Sequence, residues 1–485
     1  MAEPQIAPLW YNYIDGDWVL GGAGRLAITD PGTGETLTEQ ALADAGDVDR
    51  AVQAARRVHL SRALSDLRPI ERGRMVQAMG RYLLEHLGEI TRVLTLEQGK
   101  PLWEARIEVE SAALYFEYYG NQASTVEGRS VPLGAGYYDW TEMEPYGVSA
   151  QIIPWNYPLE MTARSMAAAL ATGNACVIKT PELTPLCTAY LAHAAEAAGL
   201  PAGAVNILCG LGAEAGAALS SHPQVNQIVF TGSVPTGVAI ARAAAGNVVP
   251  CVLELGGKSA AIVYEDHDLA AFETDLRWGI YFNAGQVCSA MSRVIVHESR
   301  AEELIARAEA VAQSLSTGPG IDRAEAGPSM GAMVSEAQRD RAVRMVETAQ
   351  GEGARVVTGG RPLNRPGAFM APTVLAEVRP EMEVAQTEVF GPVLSILSFR
   401  DEAEALEIAN GTDYGLVAGV FTRDLDRATR AARQLRAGQV FVNEWYAGGV
   451  ETPFGGVGKS GYGREKGREA LWNYVQTKNI AIKRG

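Results

Sequence analysis

Three short stretches hold the residue types that covalent chemistry needs. Cys288 sits in Asn283-Ala284-Gly285-Gln286-Val287-Cys288-Ser289. A glycine and polar residues ahead of a thiol predict a loop or helix start, where backbone N–H groups lower the thiol pKa. The bland alternative is a buried, inert cysteine. Glu254, in Leu253-Glu254-Leu255-Gly256-Gly257-Lys258, ends an apolar strand. A carboxylate there is costly without a partner or a task, and desolvation lifts its pKa toward that of a useful general base. Its other reading is a structural partner for Lys258 or another cation. In Pro154-Trp155-Asn156-Tyr157-Pro158, two prolines bracket Asn156. They hold it extended, so its amide could donate to a developing oxyanion or merely bond its own turn.

Two glycine patterns compete for the phosphates of a cofactor. Gly210-Leu211-Gly212-Ala213-Glu214-Ala215-Gly216 follows a strand, but its spacing misses the dinucleotide fingerprint by one. Phe230-Thr231-Gly232-Ser233-Val234-Pro235-Thr236-Gly237 also follows a strand and opens a helix. There Ser233 and the helix N-terminal amides could take a pyrophosphate. Either could be a plain strand-to-helix turn. Lys179-Thr180-Pro181-Glu182 puts a cation and a carboxylate at a third strand end, where both could also be merely solvated.

The elements that must position these residues alternate. Apolar strands are expected at 148–153, 175–179, 204–208, 227–230 and 251–255, with helices at 160–171, 185–198, 213–220 and 235–245 between them. Near-continuous apolar strands alternating with helices imply a parallel sheet covered on both faces, which binds ligands at its strand C-termini. A second alternating series follows, with strands at 294–296, 354–357, 393–399, 417–421 and 439–442. Its helices fall at 302–315, 336–348, 402–409 and 425–435. Ahead of both series, the first 46 residues read as short strands and turns. A helix capped by Asp47 follows, then a long one from Pro69 to Gln98, stopped by Gly99, and another from Leu102 to about Tyr119. Tyr137–Glu144 is a strand pattern among helices, read from the residues as a surface hairpin ahead of a strand arm that reaches a second subunit.

Composition bounds the class. The 485 residues suggest more than one domain, and the hydrophobic and charged fractions, 47% and 20%, are ordinary for a soluble globular chain. A net charge of −15 argues against nucleic-acid and anionic-membrane partners, which need a basic face. The first 18 residues do not read as a signal peptide, and no apolar run is long enough for a membrane helix. Five cysteines, without CxxC spacing, predict neither disulfides nor a zinc cluster, and a reducing cytoplasm as the compartment.

Taken together, these stretches resemble the aldehyde dehydrogenase superfamily. The resemblance runs from about Tyr13 to Lys478. It is carried by 154–158, 179–182, 230–237, 254–258, 285–288, Glu388-Val389-Phe390-Gly391-Pro392 and Pro453-Phe454-Gly455-Gly456, in the family's order and spacing. The resemblance implies an α/β fold of two parallel-sheet domains with a small β oligomerisation arm. Residues 1–126 and 146–255 would form the NAD-binding domain and 256–455 the catalytic domain. Residues 127–145 and 456–485 would form the arm and tail of a homodimer or homotetramer, which reverses the preference for a hairpin. Cys288 would be the nucleophile, Glu254 the base of thioester hydrolysis, and Asn156 with the Cys288 N–H the oxyanion hole. Lys179 and Glu182 would hold the adenosine ribose, Ser233 the pyrophosphate, and Glu388 and Phe390 the nicotinamide half. Ile153, Trp155, Gly210, Phe230 and Gly232 complete the expected cofactor site. No metal is required.

NAD is expected over NADP, because Glu182 would repel a 2′-phosphate. An aromatic or aliphatic aldehyde ranks first as substrate, with Tyr157 and Trp445 lining the tunnel. A carboxylate-bearing semialdehyde is the alternative, on the strength of Arg164, unless Glu160 neutralises it. Two other readings are a CoA-acylating dehydrogenase and a catalytically silent structural or binding protein on the same fold. The set of Cys288, Glu254, Asn156 and Glu388 argues against the second.

Overall fold

The protein is described by a computed structural model over residues 6–324 and 327–484. Two sheets organise it. The first has eight strands, and its five central ones are parallel in the spatial order Cys251–Glu254, Gln227–Thr231, Val148–Ile152, Ala175–Thr180, Val205–Cys209. The chain starts in the middle at Val148, winds outward to Val205, then crosses back to pair Gln227–Thr231 on the other side of Val148–Ile152. That reversal creates a crevice at the strand C-termini, where open α/β sheets take ligands. The register sets Ile152 beside both Lys179 and Phe230, and Thr231 beside Glu254, so the expected cofactor residues share one edge.

One outer edge carries a hairpin, Asn12–Ile14 with Asp17–Val19, turned by Asp15 and Gly16 at φ 56° and 89°. Two successive positive-φ residues make the turn that suits strand twist. The other edge is Gly461–Tyr462, antiparallel to Cys251–Glu254. The C-terminal segment therefore adds a strand to the first sheet before it reaches the arm. It also lends Ala470, Leu471 and Tyr474 to that sheet's core.

The second sheet has seven strands, in the order Arg355–Thr358, Thr373–Ala376, Val393–Phe399, Arg293–His297, Ala260–Val263, Val417–Phe421, Gln439–Val442, all parallel except the first. Only five residues separate Glu254, which ends one sheet, from Ala260, which opens the other. The C-terminal edge of the first sheet therefore meets the N-terminal edge of the second. Each sheet has its own apolar core.

Several local expectations need correction. The first helix spans Ala45–Leu60 and is capped by Asp44; Asp47 sits at its third position and closes the capping box by accepting the Asp44 N–H at 3.0 Å. The long helix is two, Pro69–Glu85 and Leu87–Gln98, broken at His86 (φ −103°, ψ 14°) beside Gly88, a weak helix former. Tyr137–Pro145 pairs along its whole length with Val475–Lys483, more than 300 residues away. It is one half of a ribbon with the tail rather than of a local hairpin alone, although Arg129–Val131 touches its other edge. The central strand Ala260–Val263 and the helix Leu269–Tyr281 had no expectation at all. Four small or branched apolar residues leave too short a pattern to read. Among the described residues, no helix is long and apolar enough to cross a membrane.

Candidate active site

Cys288 follows a short turn, Phe282–Gly285, and precedes the strand Arg293–His297. The expected lowering of its pKa does not occur. Burial, then the Glu388 carboxylate, push the thiol up to about 12, with Arg164 opposing and Glu254 adding to the rise. No acceptor takes the Cys288 N–H among the described residues. Asn156, buried in the loop after Val148–Ile152, donates from Nδ2 to the carbonyl of Gln286 at 2.9 Å. An amide has two N–H bonds, so one remains. The loop that offers a donor is thereby tied to the loop that offers the thiol.

Glu254 ends its strand 2% exposed, and neither carboxylate oxygen has a partner among the described residues. It does not pair with Lys258. Burial raises its pKa well above the ordinary carboxylate value, against the pull of Arg164. Gly455 lies close against it, since a Cβ there would stand 2.8 Å from Oε1. A buried carboxylate with free lone pairs is suited to taking a proton from water.

The cofactor residues gather along the crevice. Ser233 caps the helix Val234–Ala245, which opens at the switch point, and accepts the Thr236 N–H at 3.4 Å. Gly232 bonds the Glu254 carbonyl and leaves no room for a Cβ, which would meet the Phe230 ring at 2.5 Å. The rival glycine stretch makes a π-turn over Gly212–Gly216, while Gly210 packs against Ala215. Its Gly212 N–H bonds Glu182 at 3.3 Å, so it borders the same end of the crevice. Lys179 and Glu182 pair at 2.7 Å, and the Glu182 side chain stays 37% exposed. Ile153 donates to the Lys179 carbonyl, and Trp155 meets Phe390 edge-on with ring centres 5.2 Å apart. Glu388 accepts the Gly257 N–H at 3.0 Å, and burial pushes its pKa up to about 7. An exposed helix N-terminus, a half-exposed carboxylate and an aromatic pair along one crevice fit a dinucleotide.

A second cavity, of about 410 Å³, reaches Cys288 from the other side. Tyr157 and Arg164 line it as expected, together with Phe282, Phe441, Tyr446 and Phe454. Trp445 does not. Its indole lies behind the wall and donates to the Ser289 carbonyl at 3.2 Å. Arg164 is also not the partner of Glu160. It is buried and ion-paired with Glu465. Burial opposes its charge, but the Glu465 carboxylate, with Tyr115, Glu254 and Cys288 adding to it, more than restores it. Glu465 and the lining Lys466 carried no expectation. Sequence separation hides such a pair, and Arg464-Glu465-Lys466 resembles any solvated charge run.

Two open α/β sheets, a helix N-terminus at a topological switch point, and a thiol lining a second cavity suit a nucleotide-dependent oxidoreductase. The model of the aldehyde dehydrogenase family matches residues 18–480. Human retinal dehydrogenase 2 is 37% identical over 97% of this chain and 91% of its own. Hydroxyisobutyraldehyde dehydrogenase of Mycolicibacterium austroafricanum is 37% identical over 97% and 93%. Among solved structures, the NAD+ complex of a Bacillus cereus aldehyde dehydrogenase superposes with TM-score 0.95 at 36% identity, covering 98% of this chain and 96% of that one. The chain belongs to the aldehyde dehydrogenase family, and it is an NAD-dependent aldehyde dehydrogenase.

Proposed function

We propose that the enzyme oxidises an uncharged aromatic or aliphatic aldehyde to its acid through a thioester on Cys288. The Cys288 thiolate attacks the carbonyl carbon, and the oxyanion that forms is met by the free Asn156 N–H and the Cys288 N–H. Bound NAD supplies the hydride acceptor. Loss of hydride from the carbon leaves the thioester. Glu254 then takes a proton from water, the hydroxide adds, and the C–S bond breaks to release the acid and the thiolate. Lys179, Glu182, Ser233, Glu388 and Phe390 would hold NAD along the crevice.

The observation that carries the substrate reading is the cavity wall. It is largely apolar, with Tyr157, Phe282, Phe441, Tyr446 and Phe454 among its residues, and the charge of Arg164 is already met by Glu465. Relatives named for retinal and hydroxyisobutyraldehyde accord with it. A carboxylate-bearing aldehyde is the second reading, because Arg164 and Lys466 both line the cavity. The test is kcat/KM, read as NADH formation, for benzaldehyde, hexanal and succinate semialdehyde. The neutral aldehydes are expected to lead, and a lead for succinate semialdehyde overturns the first reading in favour of the second. We further propose a cytoplasmic homodimer or homotetramer joined through the ribbon of Tyr137–Pro145 and Val475–Lys483. Five free cysteines suit that compartment.

A further inference from the structure

A group of buried charges stands behind the residues that would touch substrate. Lys100 lies in the linker between helices Leu87–Gln98 and Leu102–Gln122, just after Gly99 closes the first in a left-handed conformation (φ 92°). Its side chain is fully buried and pairs with Glu108 at 2.5 Å. It also donates to the Asn156 main-chain carbonyl at 3.0 Å and sits 4.0 Å from the Tyr157 ring centre. The other Glu108 oxygen accepts the N–H groups of Leu159 and Glu160, at 3.0 and 3.3 Å, in the first turn after Asn156. Lys100 and Glu108 thus grip the Asn156 loop from both ends.

Glu104, one helical turn before Glu108, grips the other loop. It is buried and accepts the Asn283 N–H at 2.9 Å. Asn283 and Ala284 hold φ 50° and 52°, and Gly285 follows at 72°. Two non-glycine residues in the left-handed region persist only where their surroundings hold them. The Asn283 amide donates to the Asn156 carbonyl at 3.0 Å and to the Gln286 carbonyl at 3.3 Å, the same atom that takes the Asn156 amide. The two loops are locked together two residues before Cys288. Burying three ionisable side chains is expensive, and apolar residues of similar volume would commonly be no less stable. Here their bonds end on the main chain of the two loops that present the amide and the thiol.

We infer that Lys100, Glu104 and Glu108 are positioning residues for the acylation step: they touch no reacting atom and fix the Asn156 amide and the Cys288 thiol relative to one another. The inference rests on the reading of Cys288 and Asn156 above. A misplacement of about 1 Å at a reacting pair costs roughly a hundredfold in rate.

The test is single-turnover NADH formation with enzyme in excess over benzaldehyde, or over whichever aldehyde of the panel turns over best. NAD affinity and stoichiometry are followed by tryptophan fluorescence. Glu104→Ala is expected to slow the single turnover by roughly ten- to a hundredfold while NAD affinity and stoichiometry hold. Glu104→Gln keeps an oxygen for the Asn283 N–H and should restore most of the rate. Lys100→Met with Glu108→Gln, which removes both members of the buried ion pair together, should be slow like Glu104→Ala. A wild-type rate in Glu104→Ala overturns the inference, as does a Gln variant as slow as the Ala one. A fall in NAD stoichiometry at an unchanged single-turnover rate also overturns it, since that is loss of folded protein alone. Cys288→Ala serves as the separate control. NADH formed by that variant overturns the thiol's role itself, whatever Glu104 does.

Discussion

Two groups at the proposed reaction centre carry pKa values opposite to their resting usefulness. Burial holds the Cys288 thiol up near 12 and Glu254 well above the ordinary carboxylate range. Both must lose a proton to act, so both favour turnover at higher pH. For Glu254 the sign is direct: the base is present above its raised pKa and lost as pH falls through it. Glu254→Gln should therefore yield about one NADH per active site and then stall as acyl-enzyme accumulates. Steady-state kcat of the wild type should climb with pH, and the small residual rate of the variant should lack that limb. Rapid-mixing fluorescence across roughly pH 6 to 10, about two units on either side of pH 8, checks both. Loss of the first NADH in Glu254→Gln would place Glu254 in thiol activation rather than hydrolysis. The identity of these two residues was legible because an acid at the end of an apolar strand and a cysteine after a glycine are each costly or exposed choices. Their electrostatics were not, because desolvation depends on what the rest of the chain packs around them.

Strands and the turns that follow them decide where the cofactor can lie. The strands that were expected fall within a residue of their bounds, since alternation of apolar runs and helices is a local signal, whereas Ala260–Val263 and Thr373–Ala376 of the second sheet went unread. The choice between the two glycine stretches was not local. It turns on strand order: Gln227–Thr231 borders the switch point, while Val205–Cys209 lies two strands away. The buried series Lys100, Glu104, Glu108 was missed because Lys100 stands in the linker ahead of the helix, and two acids four apart on a helix normally belong to a solvated stripe. At the end of Ala175–Thr180, Glu182 accepts from Lys179, and burial is outweighed by that ammonium, so its carboxyl stays ionised. A fixed negative charge at a ribose site repels a 2′-phosphate. Glu182→Ser should therefore narrow the NAD-over-NADP ratio of kcat/KM by roughly tenfold, as expected for removing about 1–2 kcal/mol of repulsion in a partly exposed site. Lys179, freed of its partner, should contribute to the gain with NADP. An unchanged ratio would remove Glu182 from cofactor discrimination.

At the scale of the molecule, the tail joins parts far apart in sequence. It supplies an edge strand beside Glu254, places Glu465 on Arg164, fills part of the first core, and ends in the ribbon with Tyr137–Pro145. Its alternating pattern was legible, but the partner was not, because a register across more than 300 residues leaves no local trace. Of the eighteen ribbon residues, only Asp139 and Val475 are buried. Two-stranded ribbons are marginal alone in water, and this one leaves Tyr137, Tyr138 and Ile482 exposed. Among the described residues, Val475–Lys483 pairs only with Tyr137–Pro145, so its outer edge is open to another strand. A second copy can offer the same ribbon under two-fold symmetry and cover both edge and side chains. Light scattering of the full chain should give the mass of two or four subunits. Truncation after Tyr474 keeps the Asn174 bond to the Tyr474 carbonyl and the Arg164–Glu465 pair while removing one strand of the ribbon. The truncated chain should fall to a smaller species and still bind NAD, whose expected site lies in the first sheet. A full chain that is already monomeric, or a truncated one of undiminished assembly, would show that the subunits do not meet through this ribbon.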